Sequence, residues 1–184
     1  MPSDVLTAHG VFLEVESFGV YLRGASGAGK SELGMELVSR GHRLIADDAI
    51  EFVRDGKQLI GRCPPLLEGF IEVRGLGILN VRRIFGAQSV IASAPLDLII
   101  DLGVRGDPTP DERLFGRRGV TTLLGISVEE ISLPRRVGHN LAVLVEAACR
   151  DHGLRRTGYN ACDDLIARQA QAVRGAGAPD QTAE

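Results

Sequence analysis

The chain has 184 residues, 44% hydrophobic and 24% charged, with a formal net charge of −3. Such a chain can form one soluble domain with its own core, and its balance argues against a nucleic-acid binder, which presents a basic face. No apolar run approaches the ~18 residues of a membrane helix and no charged–apolar–small leader opens the chain, so a cytoplasmic protein is expected. Cys63, Cys149 and Cys162 share no metal-ligand spacing and are expected as reduced thiols.

Residues 11–16 read as a short strand and residues 19–23 as a second, leading into a glycine-rich loop. Helical periodicity follows over residues 30–40, with Leu33, Leu37 and Val38 on one face and Gly41 as the stop. A short apolar strand over residues 44–46 then ends on the acidic pair Asp47 and Asp48. Residues 50–54 and 58–60 flank Asp55-Gly56, a dipeptide suited to a tight hairpin. Residues 66–85 mix apolar side chains with glycine and give no clear period. Further strands are predicted over residues 90–92, 96–102, 120–124 and 127–133. Asn140 stands where it can cap a helix to about residue 151, with Leu141, Leu144, Val145 and Ala148 inward, and Asn160 can cap another to about residue 173. Residues 175–184 lack large apolar side chains and are expected to be disordered. The pattern predicts one α/β domain over residues 1–174, with the helices from about residue 140 as a C-terminal extension.

Gly24, Ala25, Ser26, Gly27, Ala28, Gly29, Lys30 and Ser31 match G-x-x-x-x-G-K-[ST] in full. Glycines let backbone N–H groups curl around phosphate oxygens, and the helix that follows presents its positive end to them. Lys30 can reach the outer phosphates of a nucleoside polyphosphate and the Ser31 hydroxyl can ligate Mg²⁺. An apolar strand before the motif and an amphipathic helix after it are the context a chance glycine-rich turn would lack. Asp47 and Asp48 follow what should be a neighbouring parallel strand, and in such sheets ligands lie beyond the carboxyl ends of the strands. One carboxylate can take an acceptor's proton while the other assists the metal; an acidic surface turn is the plainer alternative. His9 is a lone histidine before the first strand, which the residues alone leave as either structural or catalytic. In Glu72-Val-Arg-Gly-Leu-Gly77, two glycines after a carboxylate imply a backbone that comes close to a ligand.

Taken together, His9-Gly-Val11, the loop through Glu32, Arg40-Gly-His-Arg-Leu-Ile-Ala-Asp-Asp48, Glu72-Val-Arg-Gly-Leu-Gly-Ile78 with Asn80-Val81, and Asn140-Leu-Ala-Val143 resemble the catalytic domain of bacterial HPr kinase/phosphorylase. The similarity runs over residues 9–169 and extends, more remotely, to the nucleotide-binding core of phosphoenolpyruvate carboxykinases. It implies a P-loop α/β core with C-terminal helices and two opposed reactions on one serine of HPr, a small phosphocarrier protein, through which sugar uptake and carbon metabolism are regulated. ATP or pyrophosphate donates the phosphoryl group with Mg²⁺; in reverse, phosphate attacks phosphoserine and pyrophosphate leaves. The resemblance implies Asp48 as general base and acid with Asp47 in support, His9 and Lys30 at the transfer centre, and Arg113 on the moving phosphate. It further implies Ser31 and Glu72 as Mg²⁺ ligands, residues 72–81 as the family's signature segment, and residues 133–140 as a loop used in dephosphorylation. Val137 and His139 in that loop depart from the family's proline and arginine. Members carry a further domain before the segment equivalent to His9, which eight residues precede here. Partners implied are HPr, nucleotide, phosphate, pyrophosphate and further copies in a homo-hexamer, with no nucleic acid and no membrane. Two alternatives stand beside this reading: a P-loop kinase or nucleotide hydrolase acting on a small molecule, and a nucleotide-gated binding module without turnover.

Overall fold

A computed structural model describes residues 5–103, 106, 108–134 and 140–176. The chain divides into two compact units, Met1–Arg150 and Asp151–Glu184. The first is built on an eight-stranded mixed sheet: β1 (Val5–Val15), β2 (Phe18–Arg23), β3 (Arg43–Asp55), β4 (Gln58–Arg62), β7 (Ser93–Pro95), β8 (Leu98–Asp101), β9 (Arg118–Leu123) and β10 (Ile126–Ser132). Their spatial order is β7-β4-β3-β1-β2-β8-β10-β9, and β5 (Phe70–Val73) with β6 (Gly77–Asn80) forms a separate two-stranded sheet. Among the described residues the helices are α1 (Lys30–Ser39), α2 (Val81–Phe85), α3 (Pro110–Phe115), α4 (Leu141–Arg156) and α5 (Ala161–Ala176). No helix among them is long and apolar enough to cross a membrane.

Alternation along β1 divides the core. Val11, Leu13 and Val15 join α1 residues Leu33, Leu37 and Val38 and α4 residues Ala142, Val145 and Cys149 in one cluster. Phe12 faces the other way, into a second cluster with Tyr21, Ile45, Phe52 and Ile99. Fully burying a side chain the size of Leu37 contributes about 1.5–3 kcal/mol, so α1 is held to the sheet chiefly by its apolar stripe. Asn140 caps α4 as expected, its Oδ1 accepting from the Val143 N–H at 3.1 Å. In the second unit, the Asn160 side-chain Oδ1 accepts from the Cys162 N–H at 3.0 Å, and Asp164 receives the Tyr159 hydroxyl and the Arg168 guanidinium.

Several expectations are corrected. The acidic pair does not end a strand: β3 runs through Asp47 and Asp48 because β1 continues opposite it, with His9 facing Ala49 and Val5 facing Val53. Nor is β3 the neighbour of β2. β1 lies between them, antiparallel to both, and the parallel neighbour of β2 is β8. Residues 90–92 form no strand; Val90 makes one isolated bridge to Leu44. The predicted strand over 96–102 shortens to Leu98–Asp101, after a separate β7 on the far edge. The hairpin at Asp55 is present, with Asp55 paired to Gln58 and Gly56 at φ 59 in the turn. Helix α5 continues to Ala176, past its predicted end. Residues 135–139 of the expected dephosphorylation loop and residues 177–184 of the tail lie outside the described residues.

Candidate active site

The chain from β2 into α1 takes the form its glycines allow. Gly27 and Gly29 have φ 76 and 79, a left-handed backbone that other L-residues adopt only under strain. Gly29 opens α1 without any side-chain cap, which leaves the first-turn N–H groups for a ligand. Lys30 is buried, and its ammonium donates to the carbonyls of Gly24 and Ala25, each at 3.0 Å. Ala28 packs into the core.

Ser31 begins the link between loop and sheet. Its hydroxyl donates to Asp47 Oδ1 at 3.0 Å, and the Glu72 N–H donates to Asp47 Oδ2 at 2.8 Å. Asp47 is thus buried with both oxygens engaged. Burial pushes its carboxyl above the usual range, against the lowering effect of the hydrogen bonds from Glu72 and Ser31.

Asp48 has φ 67, although it lies inside a strand. Consecutive strand residues ordinarily point to opposite faces; the left-handed twist breaks that alternation, so Asp47 and Asp48 both open on one cleft. Such a backbone costs roughly 1–2 kcal/mol for an L-residue and is best tolerated by Asp and Asn. The Asp48 carboxylate is exposed, and His9 Nδ1 lies 2.8 Å from its Oδ1 and 3.1 Å from its backbone oxygen. His9 is therefore a member of β1, inside the site, because β1 is the strand between the loop and the acids.

The cleft has a volume of about 160 Å³. Of the expected residues, Ser26, Gly27, Gly29, Lys30, Ser31, His9, Asp47, Asp48 and Glu72 line it. Arg113 does not: it is exposed on α3, a helix started by a capping box between Thr109 and Glu112. Arg74 does line the cleft, and the sequence reading assigned it no role. Its guanidinium lies over Gly27, where an added side chain would come within 3.4 Å of it. Arg74 lies in the turn that follows β5, one residue past the end of that strand and two past Glu72.

Among the described residues no group of three or more His, Cys, Asp and Glu forms a metal cluster. Magnesium needs no such cluster, since it keeps several waters and takes one or two protein oxygens beside substrate phosphates. The donor set of Ser31 with the buried, already oriented Asp47 carboxylate fits that role, and Glu72 stands at the same cleft.

Comparison with known proteins gives this geometry relatives. The family described as the HPr Serine kinase C-terminal domain matches residues 3–169. The HPr kinase/phosphorylase of Cupriavidus metallidurans is 46% identical over 170 residues, which cover 92% of this chain and 52% of that protein. That of Burkholderia cenocepacia is 46% identical over 169 residues, covering 91% of this chain and 52% of that protein. The chain thus spans about half the length of these relatives. Among solved structures, the Hpr(Ser) kinase/phosphatase from Coxiella burnetii superposes with a TM-score of 0.79 at 35% identity, over 87% of this chain and 98% of that one. With nearly the whole described chain inside the matched segment, this protein belongs to the HPr serine kinase C-terminal domain family.

Proposed function

We propose that this chain transfers a phosphoryl group from ATP or pyrophosphate to a serine hydroxyl of HPr, and that it runs the reverse with inorganic phosphate. The observation that carries the reading is the pair of adjacent carboxylates open to one cleft, Asp47 tied to the loop's Ser31 and Asp48 free beside His9. A binding module has no use for a second, exposed carboxylate there. In the forward direction Lys30 leaves the Gly24 and Ala25 carbonyls for the outer phosphates. Asp48 takes the proton as the serine oxygen bonds to phosphorus and the bond from that phosphorus to the departing ADP, or to phosphate when pyrophosphate is the donor, breaks. His9 orients Asp48, and Arg74 meets phosphate charge over Gly27. In the reverse direction a phosphate oxygen attacks the phosphoserine phosphorus, and Asp48 returns the proton to the departing serine oxygen. Ser31 and Asp47, with Glu72 at hand, would hold Mg²⁺, which would supply neutralisation of the phosphate oxygens. Arg113 would join only if α3 approached the cleft with substrates bound.

Labelled ATP incubated with this chain and HPr should leave label on a serine of HPr. Turnover on a small-molecule acceptor with none on HPr would replace this reading by the small-molecule kinase. For assembly, the exposed Leu165, Ile166 and Val173 of α5 favour contact with another copy. Light scattering should find a hexamer, and a monomer at micromolar concentration discards it.

A further inference from the structure

β1 pairs with β2 only from Val11, which faces Leu22, because β2 leaves the sheet after Arg23 for the loop. Among the described residues, His9 and Gly10 therefore have β3 on one edge and no strand on the other. A side chain stands where the strand would have been: the Tyr21 hydroxyl donates to the His9 carbonyl at 2.8 Å. Tyr21 is not among the residues lining the cleft. It is buried in the cluster on the opposite face, its ring edge-on to Phe52 with centroids 5.5 Å apart, and Phe52 meets Phe12 in the same way at 5.4 Å. Gly10 makes room for it. A Cβ at Gly10 would lie 2.6 Å from Tyr21 Cε2 and 2.4 Å from the Leu22 carbonyl oxygen.

We propose that Tyr21 is a positioning residue for phosphoryl transfer: anchored in the aromatic cluster, its hydroxyl fixes the His9 backbone so that the imidazole stands against Asp48. The proposal rests on the reading of Asp48 as the proton acceptor. Burial raises the Tyr21 phenol above its ordinary value, which favours the protonated, donating form.

Tyr21→Phe keeps the ring and removes only the donor. It should lower kcat for HPr phosphorylation about three- to tenfold, the size of one lost orienting hydrogen bond, with the KM for nucleotide unchanged and the melting temperature lowered by no more than a few degrees. In a His9→Ala background the same substitution should cause no further loss. The chain has four histidines, and in the carbon–proton NMR spectrum of the free protein the His9 ring signal should move while that of His42 stays. A rate that does not fall, an equal loss in both backgrounds, or an unmoved His9 signal overturns the proposal. If the native chain transfers nothing to HPr, the functional reading falls separately, and the His9 signal alone then decides the role of Tyr21.

Discussion

Two pairs of histidine and carboxylate stand at nearly the same distance and serve opposite ends. His9 lies 2.8 Å from Asp48, with side chains 60% and 71% exposed; His42 lies 2.9 Å from Glu146, with side chains 12% and 13% exposed. Arg40 closes on Glu146 from outside with two bonds of 2.7 and 2.6 Å. The guanidinium of Arg40, then His42, holds the Glu146 carboxyl down at about 2, against the opposing effect of burial. The second pair ties α4 to the residues just after α1 and is largely shut off from solvent. The first has room to exchange a proton with an incoming hydroxyl. Surroundings, more than contact distance, separate a tie from a site.

Substitutions at the two pairs should part accordingly. The largest effect is expected for Asp48→Asn, which keeps a residue suited to φ 67: transfer should fall about 10²–10⁴-fold, with nucleotide affinity within a few-fold by calorimetry. A strong loss of affinity would instead move Asp48 to the metal. Asp47→Asn should weaken Mg²⁺-dependent nucleotide binding about 10–100-fold, read as a shift in the Mg²⁺ titration. Glu146→Gln should leave transfer unchanged and lower stability by about 1–2 kcal/mol in denaturant unfolding. Because folding depresses the Glu146 carboxyl, the stability it contributes is fully present above its unfolded value of ~4.3 and is lost as pH falls toward about 2. Stability of the Glu146→Gln variant should therefore vary less with pH in that window. The smallest effect is expected for Arg150→Ala, whose partner Glu16 lies in the exposed β1–β2 turn: neither melting nor transfer should change measurably.

What the sequence makes legible is what lies contiguous in it. The 24–31 loop, α1 and the Gly41 stop can be read directly, because motif, period and terminator fall within one stretch. The site's other half depends on strand order, which local pattern does not carry. Nothing around His9 says that β1 will lie between β2 and β3, and without that His9 is one histidine among four. The twist at Asp48 is equally silent, since an Asp inside a strand looks like any polar position. Arg74 lies two residues past Glu72, but it falls in the glycine-containing turn between β5 and β6, where no strand period marks a face. The start of α3 was readable too: Thr109, Pro110 and Glu112 spell a capping box with proline in the first turn. What could not be read is that Arg113, one residue on, would stay outside the cleft.

The bonds from Lys30 to the Gly24 and Ala25 carbonyls also bear on which anions the loop admits. Any newcomer must compete with two contacts that are already charge-assisted. A lone monoanion offers the ammonium a single replacement and gains little by the exchange. A polyphosphate replaces both at once and adds the open N–H groups of α1 and the guanidinium of Arg74. A loop whose lysine is already satisfied in this way would favour anions with several linked phosphates over anions of a single charge. Pyrophosphate should displace bound nucleotide at concentrations where chloride and acetate have no effect.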